Sequence, residues 1–342
     1  MRALTRVVSP DTFVQTNYMT PLILFCMSVL SAPISFPDTS QPLKSSPNDL
    51  VDALHTTFGD NHSRAVHAKG IVLEGLFTPD GSAAALTKAA HLQSAASKVT
   101  VRFSNFTGIP DIADNNGAAN PRGLAIKFSM PGGFTTDIVT HSFNGFPTSN
   151  SDDFRDLLLS IHASGPDAAK PTALDKFLDG HPIAKTFLTT QHNPASYATI
   201  GYFGVNSFKF TNKEGVSHYI RYQFIPLDGE SFLTAEQFSA KTPNYLQDEL
   251  RTRIAAHPIR FQLFAQIAEE GDMIEDPSRA WPDSRKRVSL GVIELQKLTA
   301  NTIEEDKKLF FIPNNLPIGI ETADPMLNFR SSAYPISVQH RQ

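Results

Sequence analysis

Near the C-terminal end of the sequence, an arginine and a tyrosine have a spacing that suits metal chemistry. The stretch "NFRSSAYPISVQHR" spans 328–341 and places Arg330 four residues before Tyr334. On a helix, residues four apart project from the same face. A guanidinium beside a phenol stabilises the phenolate, and a phenolate is one of the axial ligands of haem iron. A surface pair on a terminal helix has the same spacing, so both interpretations stay open.

A histidine near the start of the chain could act as a base. The stretch "SRAVHAKGIVLEGLF", residues 63–77, places His67 among apolar residues, with Arg64 three positions before it. We expect this stretch to be a buried strand. A histidine there is either a hydrogen-bonded core residue or a general base.

Composition excludes several classes of protein. The 342 residues are 41% hydrophobic and 19% charged, which is typical of a soluble globular chain. A net charge of -4 with scattered basic residues argues against nucleic acid as a partner. Cys26 is the only cysteine. If the N-terminal segment is removed, no thiol remains for a disulfide, a cysteine nucleophile, an iron-sulfur cluster or a thiolate-ligated haem.

The N-terminal segment, residues 1–36, is similar to a signal peptide. Arg2 and Arg6 precede the apolar run "PLILFCMSVLSAPISF", which is too short for a confident membrane span. We therefore expect export to the periplasm or the exterior, with a cytoplasmic protein as the alternative. The mature chain is expected to have no stable membrane span.

The rest of the chain predicts an α+β fold built on an antiparallel β-barrel. Residues 37–62 are interpreted as an arm or linker, with one short helix around "NDLVDALHTTF". Short alternating runs predict a barrel over about 63–230, with a helical insertion at "SDDFRDLLLSIHAS". Residues 231–342 are expected to be largely helical, apart from the strand-like "RVSLGVIELQKL". Pro335 predicts that Tyr334 lies at a kink or helix end.

Several segments together resemble one family, the haem catalases. The distal segments, which would lie above the haem, are "SRAVHAKGIVLEGLF", "VRFSNF" and "NPRGLAIKF", and "RSSAYPISVQHR" is similar to the family's haem-ligand segment. The resemblance covers about residues 50–341. It is strongest to the short catalase-related peroxidases in "HSFNGFP", "ASYATIGYFGVNSFKFTN" and "DPSRAWPDSRKRVSLGVIEL".

Carried over position by position, the resemblance implies roles around a haem. His67 matches the family's distal catalytic histidine, and Ser104 matches the hydroxyl residue that orients its imidazole. Tyr334 matches the iron ligand, and Arg330 the residue that keeps it a phenolate. Three further residues match arginines near the haem propionates and one matches an aromatic ring over the haem face: Arg64, Arg102, Arg341 and Phe154.

The sequence departs from the family's pattern at one catalytic position. By the same count, the catalase distal asparagine falls at His141, while Asn144 lies three places away. Either a shifted loop lets Asn144 serve, or His141 does a different job, or the site lacks this partner. Charged clusters elsewhere, such as "EEDK" at 304–307, are expected to be solvated loops.

The resemblance implies a haem-dependent peroxidase, with haem b as the expected cofactor. Its partners would be hydrogen peroxide or an organic peroxide and a small organic electron donor, with weak catalase activity as a side reaction. A homodimer is the expected assembly. The alternatives are an enzyme that transforms fatty-acid hydroperoxides and a non-enzymatic haem carrier.

Overall fold

A closed antiparallel β-barrel forms the centre of the structure. The computed structural model describes residues 44–93 and 95–341. Within them, ten strands form one sheet: β1 Gly70–Pro79, β2 Ser97–Ser104, β3 Gly123–Ser129, β4 Thr135–His141, β5 Tyr202–Phe203, β6 Phe208–Thr211, β7 Ser217–Pro226, β8 Ile259–Ile267, β9 Arg287–Leu298 and β10 Ile320–Thr322. Eight of them close a ring in the order β7-β5-β4-β3-β2-β1-β9-β8, because β8 pairs back onto β7.

Eight α-helices accompany the barrel in the described residues. In the described part of the chain they are α1 Pro47–Phe58, α2 Ser151–His162, α3 Ala173–Gly180, α4 Pro182–Thr189, α5 Ala235–Ser239, α6 Tyr245–Ala256, α7 Thr302–Lys308 and α8 Pro325–Gln339. None of these helices has both the length and the hydropathy to cross a membrane.

Aromatic side chains fill the inside of the barrel. Phe103 on β2 is fully buried and stacks on Tyr197, with ring centroids 5.5 Å apart. Phe77 meets Phe128 edge to face at 5.3 Å. Such pairs add roughly 0.5–1.5 kcal/mol beyond the area they bury. The interior is therefore a packed core, and any ligand site must lie outside it.

The predicted barrel is confirmed, but its boundary at about residue 230 is wrong. Strand β8 lies within the segment expected to be helical, whereas β9 is the strand predicted at "RVSLGVIELQKL", and together they complete the ring. In "IRFQLFAQI" buried and less buried residues alternate for most of β8, which is the period of a strand rather than of a helix. The aromatic and β-branched content of this stretch points the same way.

The predicted helix within residues 37–62 is confirmed as α1. Ser46 and Asp49 form a capping box at its start, and Pro47 occupies the first turn. Its apolar face packs in a small core with Leu158 of α2 and Ala333 of α8. This part of the expected arm is thus built into the fold. The signal-like segment lies outside the described residues, so export stays a prediction.

The expected helix end at Tyr334 is wrong, because α8 continues through Pro335 to Gln339. A proline inside a helix removes one hydrogen bond and costs about 3 kcal/mol. Ala333 and the partly buried Phe329 and Ile336 pack α8 against α1. We attribute the continuous helix to this packing, which offsets the intrinsic cost of the proline.

The contact between β1 and β9 tests the closure of the barrel. A methyl group at Gly75 would overlap the carbonyl oxygen of Glu294 on β9. We expect Gly75→Ala to lower the free energy of unfolding by roughly 1–3 kcal/mol, as overpacking of a tight site does. Denaturant titration measures this. Gly165→Ala is the control, because nothing lies within 4 Å of its added methyl, and equal stability of the two variants would contradict the interpretation.

A buried histidine outside the candidate site predicts sensitivity to acid. His91 is 2% exposed, both ring nitrogens lack partners among the described residues, and burial lowers its pKa to about 3. As pH falls through about 6.5, the unfolded chain takes up a proton that the folded chain does not, so stability is lost.

We expect His91→Leu to remove this loss. The free energy of unfolding should rise in the variant by about 1 kcal/mol more at pH 5.5 than at pH 7.5. Denaturant titrations at the two pH values provide the measurement, with the exposed His257→Leu as control. If the free energy of unfolding changed equally at both pH values, His91 would take up a proton at pH 5.5 in the folded protein as it does in the unfolded chain.

Candidate active site

A single large cavity gathers nearly all the predicted site residues. It lies between the barrel, α1 and α8, and has an empty volume of about 1180 Å³ including its solvent-filled mouth. The predicted residues that line it are Arg64, His67, Arg102, Ser104, His141, Phe154, Arg330, Tyr334 and Arg341. Apolar side chains such as Leu50, Leu54 and Phe146 supply much of the remaining wall.

One row of residues across the sheet forms the barrel side of the cavity. Ser104 on β2 pairs with Gly123 on β3, and Gly123 pairs with His141 on β4. Side chains directly opposite one another on adjacent strands share a face, with Cβ atoms about 5 Å apart. A Cβ atom at Gly123 would lie 2.8 Å from Nδ1 of His67 and would overlap Oγ of Ser104. Glycine therefore leaves the space that the His67 imidazole uses.

His67 lies before β1, not on a strand as predicted, and its backbone is in the left-handed region at φ 59°. That conformation is uncommon for a non-glycine residue and must be held by its surroundings. The His67 N–H donates to the Phe106 carbonyl at 2.7 Å. Arg102 donates to the carbonyls of His67 and Ala68, each at 2.9 Å. These bonds fix the direction of the His67 side chain.

Hydrogen bonds also select the tautomer of His67. Nδ1 lies 3.1 Å from the Asn105 carbonyl oxygen, an obligatory acceptor, so Nδ1 carries the proton. Ser104 Oγ lies 3.1 Å from the same nitrogen. Burial, reinforced by the charge of Arg102, lowers the pKa of His67 to about 3. The ring is therefore neutral near pH 7, with an unprotonated Nε2.

Asn105, whose backbone carbonyl accepts this bond, is itself held in place by a buried network of hydrogen bonds to its side chain. The Asn105 side chain donates to Asp114 at 2.7 Å and accepts from Arg122 at 2.5 Å and from the Tyr197 hydroxyl at 2.6 Å. Sequence reasoning missed Asn105, although it follows Ser104 directly in "VRFSNF". Its neighbours in space come from distant parts of the chain, which a motif does not reveal.

His141 is 8% exposed and has one unused nitrogen. The Phe143 N–H donates to its Nδ1 at 3.4 Å, whereas Nε2 has no partner in the described structure. Burial and the charge of Arg330 lower its pKa to about 3. Asn144 follows on the turn after β4, is partly buried and does not line the cavity. The structure thus brings His141 to the site and leaves Asn144 outside it.

On the other side of the cavity, α8 presents Tyr334 and Arg330 together. Arg330 donates to the Tyr334 hydroxyl at 3.3 Å and to the Asn206 side chain at 2.7 Å. Asn206 donates to Asp324 at 2.6 Å, and burial raises the pKa of Asp324 to about 6. Asn206 and Asp324 were not predicted. The interpretation of a mere surface pair is wrong, because both residues line the cavity.

Three arginines mark the charged end of the cavity, and two of them share one carboxylate. Asp306 on α7 contacts Arg64 at 2.9 Å and Arg102 at 2.5 Å. Arg341 donates to the Leu309 carbonyl at 3.4 Å. The prediction that "EEDK" is wholly solvated is therefore wrong for Asp306, whose side chain is 18% exposed. Three cations and one anion leave this end positive, which suits a ligand with carboxylates.

These residues fit a haem group. Tyr334 offers an oxygen ligand for iron, Arg64, Arg102 and Arg341 suit the propionates, and apolar side chains such as Phe154 suit the macrocycle. Two buried nitrogen atoms in the wall, Nε2 of His141 and Nε of Arg341, lack partners in the described structure. Such atoms are costly unless a ligand or water reaches them.

Comparison with known proteins gives a consistent family. A family model described as catalase matches residues 54–342. A catalase-related peroxidase of Mycolicibacterium paratuberculosis is 34% identical over 301 residues, which cover 86% of this chain and 94% of that protein. A catalase-related peroxidase of Synechococcus elongatus is 30% identical over 301 residues, covering 86% of this chain and 88% of that protein.

Full-length catalases are more distant and longer. Catalase-2 of Bacillus subtilis is 29% identical over 297 residues, covering 79% of this chain and 42% of that protein. A solved structure of a fungal catalase has the same fold, with a TM-score of 0.73, 22% identity, and coverage of 91% of this chain and 66% of that one. Since the family model spans most of the sequence, the chain belongs to the catalase family of peroxide-dependent oxidoreductases.

Proposed function

We propose that this protein is a haem peroxidase that reduces hydrogen peroxide or organic peroxides with small organic electron donors. The observation that carries the proposal is one apolar cavity lined both by a neutral buried imidazole, His67, and by an arginine-paired phenol, Tyr334. Haem b is the proposed cofactor. Bound haem would supply the two electrons that peroxide takes up when its O–O bond breaks, which these side chains alone do not provide.

His67 serves as base and then acid at one atom. Its Nδ1–H is committed to the Asn105 carbonyl, so Nε2 is free to take the proton from a hydroperoxide O–H. Nε2 then returns that proton to the oxygen that leaves as water or an alcohol. General acid-base help of this kind contributes roughly 100-fold to 10,000-fold. The hydrogen bonds from Arg102 keep the imidazole in place during both transfers.

Tyr334 and Arg330 act from α8. The Tyr334 oxygen would ligate iron as a phenolate, and the Arg330 guanidinium 3.3 Å away stabilises that anion. Asn206 holds Arg330 at its other nitrogen. This pairing places a fixed positive charge beside the proposed ligand oxygen.

Peroxidase turnover is favoured over catalase turnover because Asn144 does not line the cavity and His141 does. Disproportionation needs a second peroxide to be aligned at the same site, which is the task of the family's asparagine. Reduction by an organic donor needs only that the donor reach the cavity or its mouth. Weak catalase activity remains compatible with this site.

Replacing the proposed ligand should alter cofactor binding. We expect Tyr334→Phe to weaken haem binding at least tenfold and to change the visible absorption spectrum of the loaded protein, because no phenol oxygen remains. Titration with haem, followed by absorption, measures both. The control is Tyr219→Phe, at an exposed tyrosine of β7. An unchanged spectrum in Tyr334→Phe would mean that another residue binds the iron.

Replacing the proposed base should separate an enzyme from a carrier. We expect His67→Ala to keep its haem and to lose roughly 100-fold to 10,000-fold in peroxide turnover, whereas the exposed His257→Ala keeps its rate. Since burial holds the pKa of His67 near 3, the parent kcat/KM should not fall between pH 7 and 5.5 through protonation of this residue. A haem-loaded parent that does not turn over peroxide would be a haem carrier.

A further inference from the structure

Two histidines and an aspartate come together outside the cavity, at the place where α1 and α8 end. His55 lies in the last turn of α1, Asp60 follows that helix by two residues, and His340 is the C-terminal cap of α8. Each side chain offers one ligand atom, and these three atoms lie within 4.8 Å of one another. None of the three residues lines the cavity of the candidate active site. The cluster is therefore separate from that site.

The packing of α1 on α8 brings the two rings together from opposite ends of the described chain. Ala333 and Ile336 of α8 pack in the same small core as Leu54 of α1. The rings of His55 and His340 meet edge to face, with centroids 4.8 Å apart. In the described structure the hydrogen bonds found at these two histidines are made by their backbones. A nitrogen lone pair on each ring is thus available to a ligand.

The ends of the two helices favour a positive charge at this cluster. The last carbonyl groups of a helix lack intrahelical partners and carry partial negative charge, and two such ends converge here. The carboxylate of Asp60 adds a full negative charge. Arg341, which follows His340 directly, donates instead to the Leu309 carbonyl and lines the cavity. The cluster therefore combines two imidazole nitrogens with an environment that attracts a cation.

We propose that His55, Asp60 and His340 bind a divalent transition-metal ion, with Zn²⁺ as the best match, and that this ion ties the end of α1 to the end of α8. Imidazole nitrogens and a carboxylate oxygen are ordinary zinc ligands, and water takes the fourth position. Bonds of about 2.0–2.1 Å place the ligand atoms of a tetrahedral site about 3.3 Å apart. Asp60 is exposed, so rotation of its side chain can close the remaining distance.

An ion at this cluster strengthens the wall of the cavity without entering it. Leu50 and Leu54 of α1 line the cavity on one side, and Arg330 and Tyr334 of α8 line it on the other. A ligand that binds only the folded chain raises its stability by mass action. The ion is therefore structural, and the inference holds whether or not the proposed function is correct.

Titration of the full chain with Zn²⁺, followed by isothermal calorimetry, tests the proposal. Parent and variants all carry Cys26→Ser, because the thiol in the N-terminal segment is itself a zinc ligand. We expect the parent to bind one Zn²⁺. His55→Ala, Asp60→Ala and His340→Ala should each raise the dissociation constant at least about tenfold, since each removes one ligand.

A neighbouring histidine provides the matched control. His62 is exposed and lies two positions after Asp60, so His62→Ala removes an imidazole close to the cluster but outside it. Its dissociation constant should stay within about twofold of the parent. A parent that binds no Zn²⁺, or variants at His55 and His340 that bind as tightly as the parent, would overturn the proposal. Loss of binding in His62→Ala alone would overturn it as well.

Thermal unfolding shows whether the ion joins the two helices. At a free Zn²⁺ concentration of about 100 times the dissociation constant, we expect the Tm of the parent to rise by roughly 3–5 °C and that of His340→Ala to stay unchanged. Mg²⁺ is the control ion, because it prefers oxygen ligands. An equal rise in the parent and in His340→Ala would mean that α8 takes no part.

Nitrogen-15 NMR of the histidines identifies the ligands in the parent itself. Zn²⁺ should shift the resonances of His55 and His340, which are assigned by their loss in His55→Gln and His340→Gln. Shifts at a different pair of histidines would contradict the proposal even if an alanine variant failed to fold.

Discussion

The geometry of the active site depends on the hydrogen bonds of one buried guanidinium. Arg102 extends from β2 to the carbonyls of His67 and Ala68, and on its other edge to Asp306 of α7. The His67 backbone has a left-handed φ that a non-glycine residue rarely adopts unaided. A charged donor with several fixed N–H groups can hold such a turn, whereas a single hydrogen bond to a neutral donor is weaker. The resemblance assigned Arg102 to the haem propionates, and the structure shows that it also holds the backbone of His67.

The sequence revealed the parts of the site whose residues are close together along the chain. Arg330 and Tyr334 were recognisable from their spacing, and the alternation in β1 to β4 predicted strands correctly. The sequence failed where the position of a residue depends on distant partners. Asp306 was interpreted as solvated because its partners Arg64 and Arg102 lie 242 and 204 positions away along the chain. Asn206 reaches Arg330 across 124 positions.

Predictions based on the conformational preferences of single residues were also wrong where tertiary packing outweighed those preferences. Proline predicts a break in a helix, but α8 continues because both sides of Pro335 are anchored against α1. The position of His67 was expected on a strand, since its neighbours are apolar, yet pairing of β1 with β2 begins only at Gly70. In both cases tertiary contacts decided between conformations that differ by a few kcal/mol, which propensity alone does not resolve.

Ser104, Gly123 and His141, which form the row across the sheet, differ in how closely they constrain the His67 ring. Ser104 contacts the His67 ring, and Gly123 must have no side chain, because a Cβ atom would displace that ring. His141 contacts neither His67 nor Ser104 through a hydrogen bond in the described structure. Within this row, position 141 is therefore the one at which a side chain can be replaced without disturbing the contacts of the His67 ring. For protein engineering, a single substitution at position 141 can exchange a hydrogen-bond donor for an acceptor, an amide or an apolar group and so change the polarity of the cavity wall.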